Sequence, residues 1–434
     1  MENTLAPIDV YTTENLIALA KSCGADDAGV VDLDCPELAD QRDDILAAFP
    51  AAKSLLSIVV RLNREPIRSP SRSLANLEFH SKGDEVNHIA SSIVRRLEDA
   101  GIRALNPAMG FPMEMGKFPG KLWTVSHKPV AEAAGMGRMG IHRIVIHPKF
   151  GNFISLGTVV LDREMNQAPS PIDFNPCLEC KLCVAACPVG AISKDGEFAF
   201  DACYTHNYRE FMGGFTDWIE TVVESKDVAD YRSKVEPAET VSMWQSLSIG
   251  PNYKAAYCMA VCPAGEDVVP AYAANKKGFL QEIVQPLQKN TEPVYVVPGT
   301  DAEAHVRKRF PHKRVRIVQS GLRPVSISGF LRGLPLVFQR KQAKHESFRI
   351  HFHFRNDPES PGQSTQATVS VDSGHIQVSH GHVGRADLAV SVDAEWWIQF
   401  LGKQRSLPLG LVRRKLRLKG KPGPLLALGK LCPV

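Results

Sequence analysis

The stretch that decides the fold of this chain is Cys177-Leu178-Glu179-Cys180-Lys181-Leu182-Cys183-Val184-Ala185-Ala186-Cys187-Pro188. Its four cysteines follow one another at intervals of three, three and four residues, and a proline closes the run. This spacing is typical of bacterial iron–sulfur proteins, in which three thiolates of one tight loop hold a 4Fe–4S cluster and the fourth cysteine ligates a second cluster. The sequence therefore predicts two clusters.

A second group of cysteines supplies the remaining ligands. Cys258 and Cys262 stand in a Cys-x-x-x-Cys-Pro sequence, and Cys203 lies between the two runs. We expect the runs to exchange ligands in the usual crossed manner. The predicted ligand sets are Cys177, Cys180, Cys183 and Cys262 for the first cluster, and Cys187, Cys203 and Cys258 for the second.

The second cluster is one cysteine short, because the position three residues before Cys258 is Ala255. Three interpretations stay open: a three-iron cluster, a cube whose last iron takes water or a side chain such as His206, or a single cluster in the whole chain. A zinc site is the alternative for all of these cysteines. Four-cysteine zinc sites pair two Cys-x-x-Cys knuckles, however, and do not need a tight triple followed by Cys-Pro.

The composition fits an intracellular redox protein. The chain has 434 residues, of which 44% are hydrophobic, and this length allows roughly two to four domains with packed cores. Ten cysteines in so long a chain do not form the disulfide framework of a small secreted protein, so we expect a reducing cytoplasm. The segment Met1–Thr13 lacks a targeting pattern, and no apolar run approaches the roughly 20 residues that span a bilayer.

The balance of charge changes sign along the chain. Residues 301–434 contain 23 Lys and Arg against 9 Asp and Glu, whereas the first 300 residues contain 28 against 38. The basic part could contact an anionic membrane surface or an acidic ligand, or could be a solvated face that balances an acidic neighbour. We expect no nucleic-acid partner, because no recognition motif and few aromatic residues accompany the basic block at 306–316.

Hydrophobic patterns before the cysteines predict a domain that mixes helices and strands. Thr12 or Thr13 can cap the first helix, and Gly24 can end it. The expected elements are helices at 13–21 and 87–100 and strands at 28–31, 54–62, 143–147 and 153–162, with the last two strands joined by a turn at 148–152.

An irregular, methionine-rich loop at 106–128 leads into a glycine-rich segment, Lys128-Pro129-Val130-Ala131-Glu132-Ala133-Ala134-Gly135-Met136-Gly137-Arg138-Met139-Gly140-Ile141-His142. No strand precedes the glycines, so close approach of the backbone to a large ligand explains them better than a dinucleotide site. Together with the following Leu-Gly-x-Val-Val-Leu-Asp and the cysteine region, this order resembles epoxyqueuosine reductase and, more distantly, the reductive dehalogenases. The resemblance covers roughly residues 10–270.

The resemblance implies a nitroreductase-like α/β domain that holds base-off cobalamin, and a ferredoxin-like module that delivers electrons to it. In such enzymes the cofactor performs the reduction, while the protein controls access, proton supply and electron supply. His147 is expected to be an ordinary strand residue. By position in the shared motif, the residues that would line the corrin or its nucleotide tail are Gly137, Gly140, His142, Val145 and Leu156.

One catalytic residue of that family is missing. Epoxyqueuosine reductase has an aspartate proton donor seven residues before the basic residue of its Arg/Lys-Pro pair, and in this chain the position is Lys121. Lys121 is therefore the candidate catalytic residue. It could donate a proton if it is desolvated, hold an anionic group as a cation, or be an exposed loop lysine.

The last 95 residues or so resemble the sterol-carrier-protein-2 family. The likeness rests on Ala-Asp-Leu-x-Val, then Asp-x-x-x-Trp, then Lys-Leu-Arg-Leu-Lys-Gly, and a closing apolar helix near 425–431. A hairpin at 367–378 precedes them. The resemblance implies a five-stranded sheet with helices over an apolar tunnel; the alternative is a docking or dimerising module without a ligand. The bulky residues expected to line the tunnel are Trp396, Trp397, Ile398, Phe400 and Leu401.

The sequence thus predicts a multidomain protein of the α/β and α+β classes. An insert of 54 residues between Cys203 and Cys258 is expected to be helical. The expected domains are a nitroreductase-like corrinoid-binding domain at 1–165, a ferredoxin-like iron–sulfur module with the helical insert at 166–295, a basic connecting segment at 296–339 and a sheet-plus-helix domain at 340–434.

The expected function is that of a cobalamin-dependent iron–sulfur reductase. Electrons would come from a soluble donor such as ferredoxin or flavodoxin, and a halogen or oxygen substituent would be removed from a hydrophobic molecule presented by the C-terminal domain. The alternative is an electron-transfer or lipid-binding protein without corrinoid chemistry.

Overall fold

A computed structural model describes residues 12–118, 120–165, 168, 171–173, 177 and 179–433. Contacts divide the chain into two compact units. The first unit comprises Met1–Ala186, Lys194–Gly196 and Ala256–Lys289, and the second comprises Cys187–Ser193, Glu197–Ala255 and Asn290–Val434. The residues of the predicted iron–sulfur module are therefore shared between two units, because the helical insert packs with the C-terminal part of the chain. The start of that module, 166–171, lies mostly outside the described residues.

Before the helical insert, the described residues of the first unit form helices and strands, together with 3₁₀ turns at Pro36–Leu38 and Met115–Lys117. In chain order they are α1 (Thr13–Ser22), β1 (Asp27–Asp32), α2 (Ala39–Ala48), β2 (Ser54–Arg61), α3 (Arg64–Arg68), α4 (Arg72–Asp99), β3 (Ala104–Leu105), α5 (His127–Ala133), β4 (Arg138–Met139), β5 (Val145–Ile146), β6 (Ile154–Leu161) and α6 (Leu182–Ala186).

The predicted helix at 13–21 and the predicted strands at 28–31 and 54–62 are confirmed. The Thr12 side chain accepts a hydrogen bond from the N–H of Asn15 at 3.2 Å and caps α1, as Thr does at helix N-termini. α4 begins well before its predicted start at 87. Its first turns bury the polar residues Asn76 and Glu78, which do not contribute to a hydrophobic pattern.

β1, β2, β6 and β3 form one sheet in that order, and all of its neighbouring strands are antiparallel. Helices cover both faces. On one face α1 and α4 bury residues such as Leu16 and Ile93 against Val30 and Ile58, and on the other α2 and α5 pack against Val31 and its neighbours. The glycine-rich segment follows α5 directly, so this sheet and its helices fix where that segment begins.

The predicted strand at 153–162 is confirmed as β6, but its predicted hairpin with a strand at 143–147 is wrong. Only β5 is a strand within 143–147, and it pairs with β4 instead of β6. His147 and Gly151 close a tight loop through two backbone hydrogen bonds of 2.8 and 2.9 Å, and the chain then enters β6, which pairs with β2 and β3. The partner of a strand depends on residues far away in sequence, which a local pattern does not specify.

The remaining elements alternate between the units. Residues 197–255 of the second unit contain α7 (Phe200–Asn207), α8 (Met212–Glu224), α9 (Val228–Lys234) and α10 (Pro237–Ile249), which confirms the helical insert. The first unit resumes with α11 (Tyr257–Ala260), α12 (Val269–Ala274), α13 (Lys276–Phe279), a π-helical turn (Leu280–Val284) and α14 (Gln285–Lys289).

The second unit ends in two sheets. Its elements are β7 (Pro293–Val296), α15 (Asp301–Arg309), β8 (Arg314–Ile317), α16 (Ile327–Val337), β9 (Ser347–Arg355), β10 (Thr365–Asp372), β11 (His375–His380), β12 (Leu388–Asp393), α17 (Ala394–Leu401), α18 (Leu407–Val412), β13 (Leu416–Gly420) and α19 (Gly423–Leu431), with a 3₁₀ turn at Gln342–His345.

β7 and β8 form a parallel pair, with α15 between them in the chain. The larger sheet has the order β11-β10-β9-β12-β13, in which β9 and β12 are parallel and the other neighbours antiparallel. The predicted hairpin at 367–378, the helix after Asp393 and a five-stranded sheet are confirmed.

The segment 296–339, predicted as a basic connection, is folded. It contains α15, β8 and α16, and α16 belongs to the core of the larger sheet. Ile327, Phe330 and Leu334 recur at helical spacing on its buried face. The sheet-plus-helix region therefore extends upstream of residue 340, because the apolar stripe of α16 is buried in the core of the sheet.

The bulky residues expected to line a tunnel pack against one another. The ring centroid of Trp397 lies 5.6 Å from those of Phe330 and Phe352, and Trp396 stacks on Phe400 at 5.8 Å. Such edge-to-face and stacked contacts are those of a filled aromatic core. Within the described part of the chain, the helices lack the combination of length and hydrophobicity that spanning a bilayer would need.

Candidate iron–sulfur site

Four cysteines of the first unit line one cavity. It has about 380 Å³ of space between atoms, part of it open to solvent. The cavity is lined by Cys177, Cys180, Cys183 and Cys262 together with Ile141, His142, Ile146, Glu179, Lys181, Pro263 and Ala264. The structure thus brings together the ligand set predicted for the first cluster.

The backbone of the cysteine loop explains how sulfurs so close in sequence can face one space. Glu179 and Lys181, on either side of Cys180, have φ angles of 53° and 52° in the left-handed region. Non-glycine residues seldom adopt this conformation, and its occurrence is concentrated at functional sites. It turns the chain sharply between successive cysteines, and α6 then carries Cys183 against α11, which precedes Cys262.

The electrostatics of the cavity suit bound iron. Burial raises the pKa of Cys183, and it raises that of Cys262 to about 12; the charges of neighbouring thiolates add to both effects. Four thiolates can share so small a space only if positive charge compensates them, as iron does. The backbone N–H of Ile141 donates a hydrogen bond to Sγ of Cys177 at 3.4 Å. Hydrogen bonds of this kind tune the potential of iron–sulfur clusters.

The donor set fits a 4Fe–4S cluster. Each of the four irons of such a cube takes one cysteine thiolate, and four thiols surround this cavity. Among the residues that the structure describes, no three His, Cys, Asp or Glu side chains are arranged to hold a single metal ion.

Arg68 of α3 is a cation near this site that sequence reasoning missed. Its guanidinium carbon lies 5.3 Å from the ring centroid of Phe153 and 5.5 Å from that of Phe279. Burial lowers the pKa of Arg68, and the negative charges of Glu65 and Cys262 oppose this effect. No sequence signal could have identified Arg68, because the tertiary fold alone brings α3 near Cys262.

The residues predicted for the second cluster are divided between the units. Cys258 belongs to the first unit, where its charge raises the pKa values of Cys183 and Cys262. Cys187 and Cys203 belong to the second unit. The second ligand set therefore stays a prediction.

Cys187 lies in a nest of backbone N–H groups. The N–H of Ala191 lies 3.3 Å from its sulfur, and hydrogen bonds from residues 189–192 lower the pKa of this thiol against the larger effect of burial, which raises it. Gly190 makes the turn possible. Its φ is +62°, and a Cβ there would lie 2.6 Å from the ring of His305. Such nests stabilise anionic sulfur, as a metal ligand requires.

α7 carries Cys203 and, three residues later, His206. The imidazole of His206 is buried, which lowers its pKa to about 3. Its Nδ1 accepts a hydrogen bond from the N–H of Tyr295 at 3.4 Å, and its Nε2 has no partner among the described residues. Ala255, which occupies the position of the missing cysteine, is buried and donates its N–H to Oδ1 of Asn207 at 2.9 Å.

At the two glycines predicted to admit a corrin, the space that a side chain would need is occupied by other atoms of the chain. A Cβ on Gly137 would lie 2.5 Å from the carbonyl oxygen of Ile146, and a Cβ on Gly140 would lie 2.8 Å from Cε1 of His142. These glycines therefore allow the β4–β5 strands and the following loop to approach one another closely.

The other three predicted corrin residues are buried or partly buried, and His142 also lines the cysteine cavity. His142 is 4% exposed, and burial lowers its pKa to about 4. Its Nδ1 accepts a hydrogen bond from the N–H of Ile144 at 3.2 Å. Val145 is buried in a small core in which Leu156 is partly buried. The five residues lie in one region, and their role in holding a corrinoid stays a prediction.

Lys121 forms an ion pair with a carboxylate. Its Nζ lies 2.5 Å from Oδ2 of Asp44 and 3.4 Å from the carbonyl oxygen of Asp40, and a third of its side chain is exposed. The hydrogen bond from Lys121 lowers the pKa of Asp44. Lys121 is thus the cationic partner of a carboxylate in this structure, and its catalytic role stays a prediction.

Comparisons with known proteins agree with the cysteine chemistry. Residues 170–193 match the family described as the 4Fe-4S binding domain. The epoxyqueuosine reductase of Staphylococcus aureus is 32% identical over 174 residues, which are 37% of this chain and 42% of that protein. The epoxyqueuosine reductase of Cyclobacterium marinum is 22% identical over 211 residues, which are 46% of this chain and 64% of that protein.

Solved structures give weaker matches. An epoxyqueuosine reductase from Bacillus subtilis matches 69% of this chain and 98% of its own with 14% identity and a TM-score of 0.37. A catabolic reductive dehalogenase in complex with 3-bromo-4-hydroxybenzoic acid matches 63% of this chain and 37% of its own, with 14% identity and a TM-score of 0.37. A palmitated SCP2L2 protein from Aedes aegypti matches 25% of this chain and 96% of its own, with 14% identity and a TM-score of 0.20.

These TM-scores are too low to support an argument about fold, and the sequence matches span less than two thirds of either curated relative. The chain therefore carries a stretch that matches the 4Fe-4S binding domain and is similar, over part of its length, to epoxyqueuosine reductases.

Proposed function

We propose that this chain is an iron–sulfur reductase. A 4Fe–4S cluster held by Cys177, Cys180, Cys183 and Cys262 would pass single electrons to an acceptor that binds beside the glycine-rich segment. The observation that carries the proposal is the shared cavity: the same space is lined by the four cysteines and by Ile141, His142 and Ile146, which end or follow that segment. The partial similarity to epoxyqueuosine reductases supports a reductase over a passive electron carrier.

Two features of the chain would favour the reduced cluster. Adding an electron makes the cluster and its thiolates more negative, and a hydrogen-bond donor or a nearby cation stabilises that charge. The N–H of Ile141 on Cys177 is such a donor, and the guanidinium of Arg68 near Cys262 is such a cation. Burial of Cys183 and Cys262 acts in the opposite direction, because low polarity disfavours added charge.

The identity of the acceptor is the finer part of the proposal. A corrinoid, as the family resemblance implies, would supply the reductive removal of a halogen or oxygen substituent. Gly137 and Gly140 pack closely against the chain's own atoms, and the role of the predicted corrin-lining residues stays a prediction, so the proposal of an iron–sulfur reductase does not depend on a corrinoid. The alternative is an electron-transfer protein without corrinoid chemistry.

Purification without oxygen tests both parts. Iron and sulfide analysis, the visible spectrum and electron paramagnetic resonance of the reduced protein are expected to show a 4Fe–4S cluster, which Cys262→Ser should remove and Cys23→Ser should leave in place. Absence of iron, or zinc in stoichiometric amount, would overturn the proposal. Cobalt content measured on the same sample decides the acceptor: stoichiometric cobalt supports the corrinoid enzyme, and its absence after supplementation with cobalamin supports the alternative.

A further inference from the structure

We infer that the C-terminal part of the second unit is a docking surface for an anionic lipid bilayer. The surface consists of the helix α18, the turn Arg413–Lys415 and the edge strand β13, and we call it the α18 surface. The inference is independent of the proposed redox function, since none of these residues belongs to the candidate cluster site.

The first observation is the charge of this surface. The α18 surface contains no Asp or Glu and five exposed cations, which are Arg413, Arg414, Lys415, Arg417 and Lys419. Three of them, Arg413, Arg414 and Lys415, are consecutive and follow α18 directly. Lys415 lies 3.5 Å from a carboxylate oxygen of Asp393 on β12, so this cation is partly neutralised. The remaining charge is of one sign, which attracts an anionic surface.

The second observation is apolar exposure at the same place. Leu409, Leu411 and Val412 are 36%, 44% and 80% exposed. The orientation of α18 is fixed by Gly410, because a Cβ at this position would lie 2.4 Å from the indole of Trp396. The glycine side of the helix is therefore pressed against the core, which leaves the leucine and valine side chains in solvent next to the cations.

The position of β13 at a sheet edge would by itself explain part of this positive charge. β13 lies at the edge of the sheet, and Lys or Arg on edge strands prevents pairing with other chains. That function needs no exposed leucine or valine. A nucleic acid would explain the cations equally well, but it is usually recognised with stacking aromatic residues, whereas the exposed groups here are aliphatic.

The helical insert gives a contrast within the same unit. α8 and α10 also expose apolar side chains, among them Val223, Val241 and Trp244. Residues 212–249 contain seven Asp and Glu against three Lys and Arg, so an anionic bilayer would repel them. At the α18 surface, exposed aliphatic residues instead lie beside an excess of cations.

Peripheral binding needs both features. A few aliphatic side chains at the depth of the headgroups bind weakly, and so do a few cations, but the two contributions add. Each Lys or Arg near an anionic surface strengthens binding roughly fivefold, and this part is screened by salt. The second unit would then bind reversibly, as a peripheral protein does.

Vesicle flotation with the full-length protein tests the inference. Binding is expected to vesicles of phosphatidylcholine with phosphatidylserine, to be at least tenfold weaker to phosphatidylcholine alone, and to fall as salt rises. Arg413→Gln with Arg414→Gln should weaken binding by roughly tenfold or more, and Leu411→Ser with Val412→Ser should do the same. Circular dichroism of both variants should match the parent, because these side chains are exposed.

Matched controls remove similar groups elsewhere. Lys308→Gln with Arg309→Gln deletes two exposed cations of α15, and Leu74→Ser with Leu77→Ser deletes two exposed leucines of α4. Neither should change vesicle binding by more than about twofold. The inference is overturned if the protein ignores phosphatidylserine, if the controls weaken binding as much as the test variants, or if the cation variant abolishes binding of an RNA stem-loop while vesicle binding is absent.

Discussion

Nε2 of His147 lies 3.1 Å from a carboxylate oxygen of Asp27 and so joins the loop before β6 to the first residue of β1. Nδ1 of the same ring accepts hydrogen bonds from the N–H groups of Lys149 and Phe150. The buried imidazole thus bridges a turn and a strand; His147 itself lies in an isolated bridge with Gly151 just after β5, and not in the strand predicted for it. Asp27 also pairs with Lys21 at 3.0 Å.

These contacts predict a pH-dependent contribution to stability. The hydrogen bond from His147 and the contact with Lys21 lower the pKa of Asp27 well below its usual value. A carboxylate with a depressed pKa stabilises the fold above its unfolded pKa of about 4, and this contribution is lost as the pH falls below that value. Asp27→Asn is therefore expected to reduce the unfolding free energy by about 1 kcal/mol at neutral pH, a value discounted for partial exposure. Thermal melts should show the difference shrinking at acidic pH; Asp34→Asn serves as the exposed control.

The contribution of Asp201 to folding stability is expected to have the opposite pH dependence. Burial raises the pKa of Asp201 to about 6, although Ser320 and Thr205 donate hydrogen bonds to it. The folded state then binds more protons than the unfolded state, so stability falls as the pH rises from about 4 to 6. Asp201→Asn should stabilise the protein by roughly 2 kcal/mol above this window and have little effect below it. A stability loss of equal size at every pH would contradict this account.

The predicted ligand sets can be tested by the iron content of cysteine variants. If the second cluster has three irons, the chain should bind about seven irons, and Cys180→Ala should reduce this to about three, because no spare cysteine lies beside it. Cys432→Ala, at a buried cysteine outside both predicted ligand sets, should retain about seven. Unchanged iron in the Cys180→Ala protein would refute the first ligand set.

The missing ligand can be restored. Ala255→Cys places a thiol three residues before Cys258, and it should raise the iron content from about seven to about eight and remove the three-iron signal of the oxidised protein. The backbone hydrogen bond from this position to Asn207 does not depend on the side chain. Ala274→Cys, at an exposed helix end, is the control. If the parent already holds eight irons, a non-cysteine ligand such as His206 completes the second cube.

Substitution of Arg68 is expected to change the reduction potential of the cluster. Since a cation near Cys262 stabilises the reduced cluster, Arg68→Met should lower its reduction potential by a few tens of millivolts, where about 59 mV corresponds to a tenfold change in the one-electron equilibrium. Arg68→Lys keeps the charge and should stay near the parent value. A redox titration of the cluster signal measures both, with Arg42→Gln as an exposed control; equal shifts in Arg68→Met and Arg68→Lys would mean that packing, not charge, sets the potential.

Features that depend on neighbouring residues in the chain can be predicted from the sequence. The spacing of Cys177, Cys180 and Cys183 predicts a metal-binding loop because the three ligands come from one turn of backbone. The first helix, its Thr12 cap and the hairpin of β10 and β11 were equally predictable, since caps, turns and alternating strands are local patterns.

Features that depend on residues distant in sequence become visible in the folded chain. The tertiary structure pairs β5 with β4, places α16 in the core of the larger sheet, and brings Arg68 near Cys262. It also fills the space at Gly137 and Gly140 with the chain's own atoms. A glycine in a sequence shows only that something comes close to the backbone, and whether that neighbour is a ligand or another strand is settled by packing.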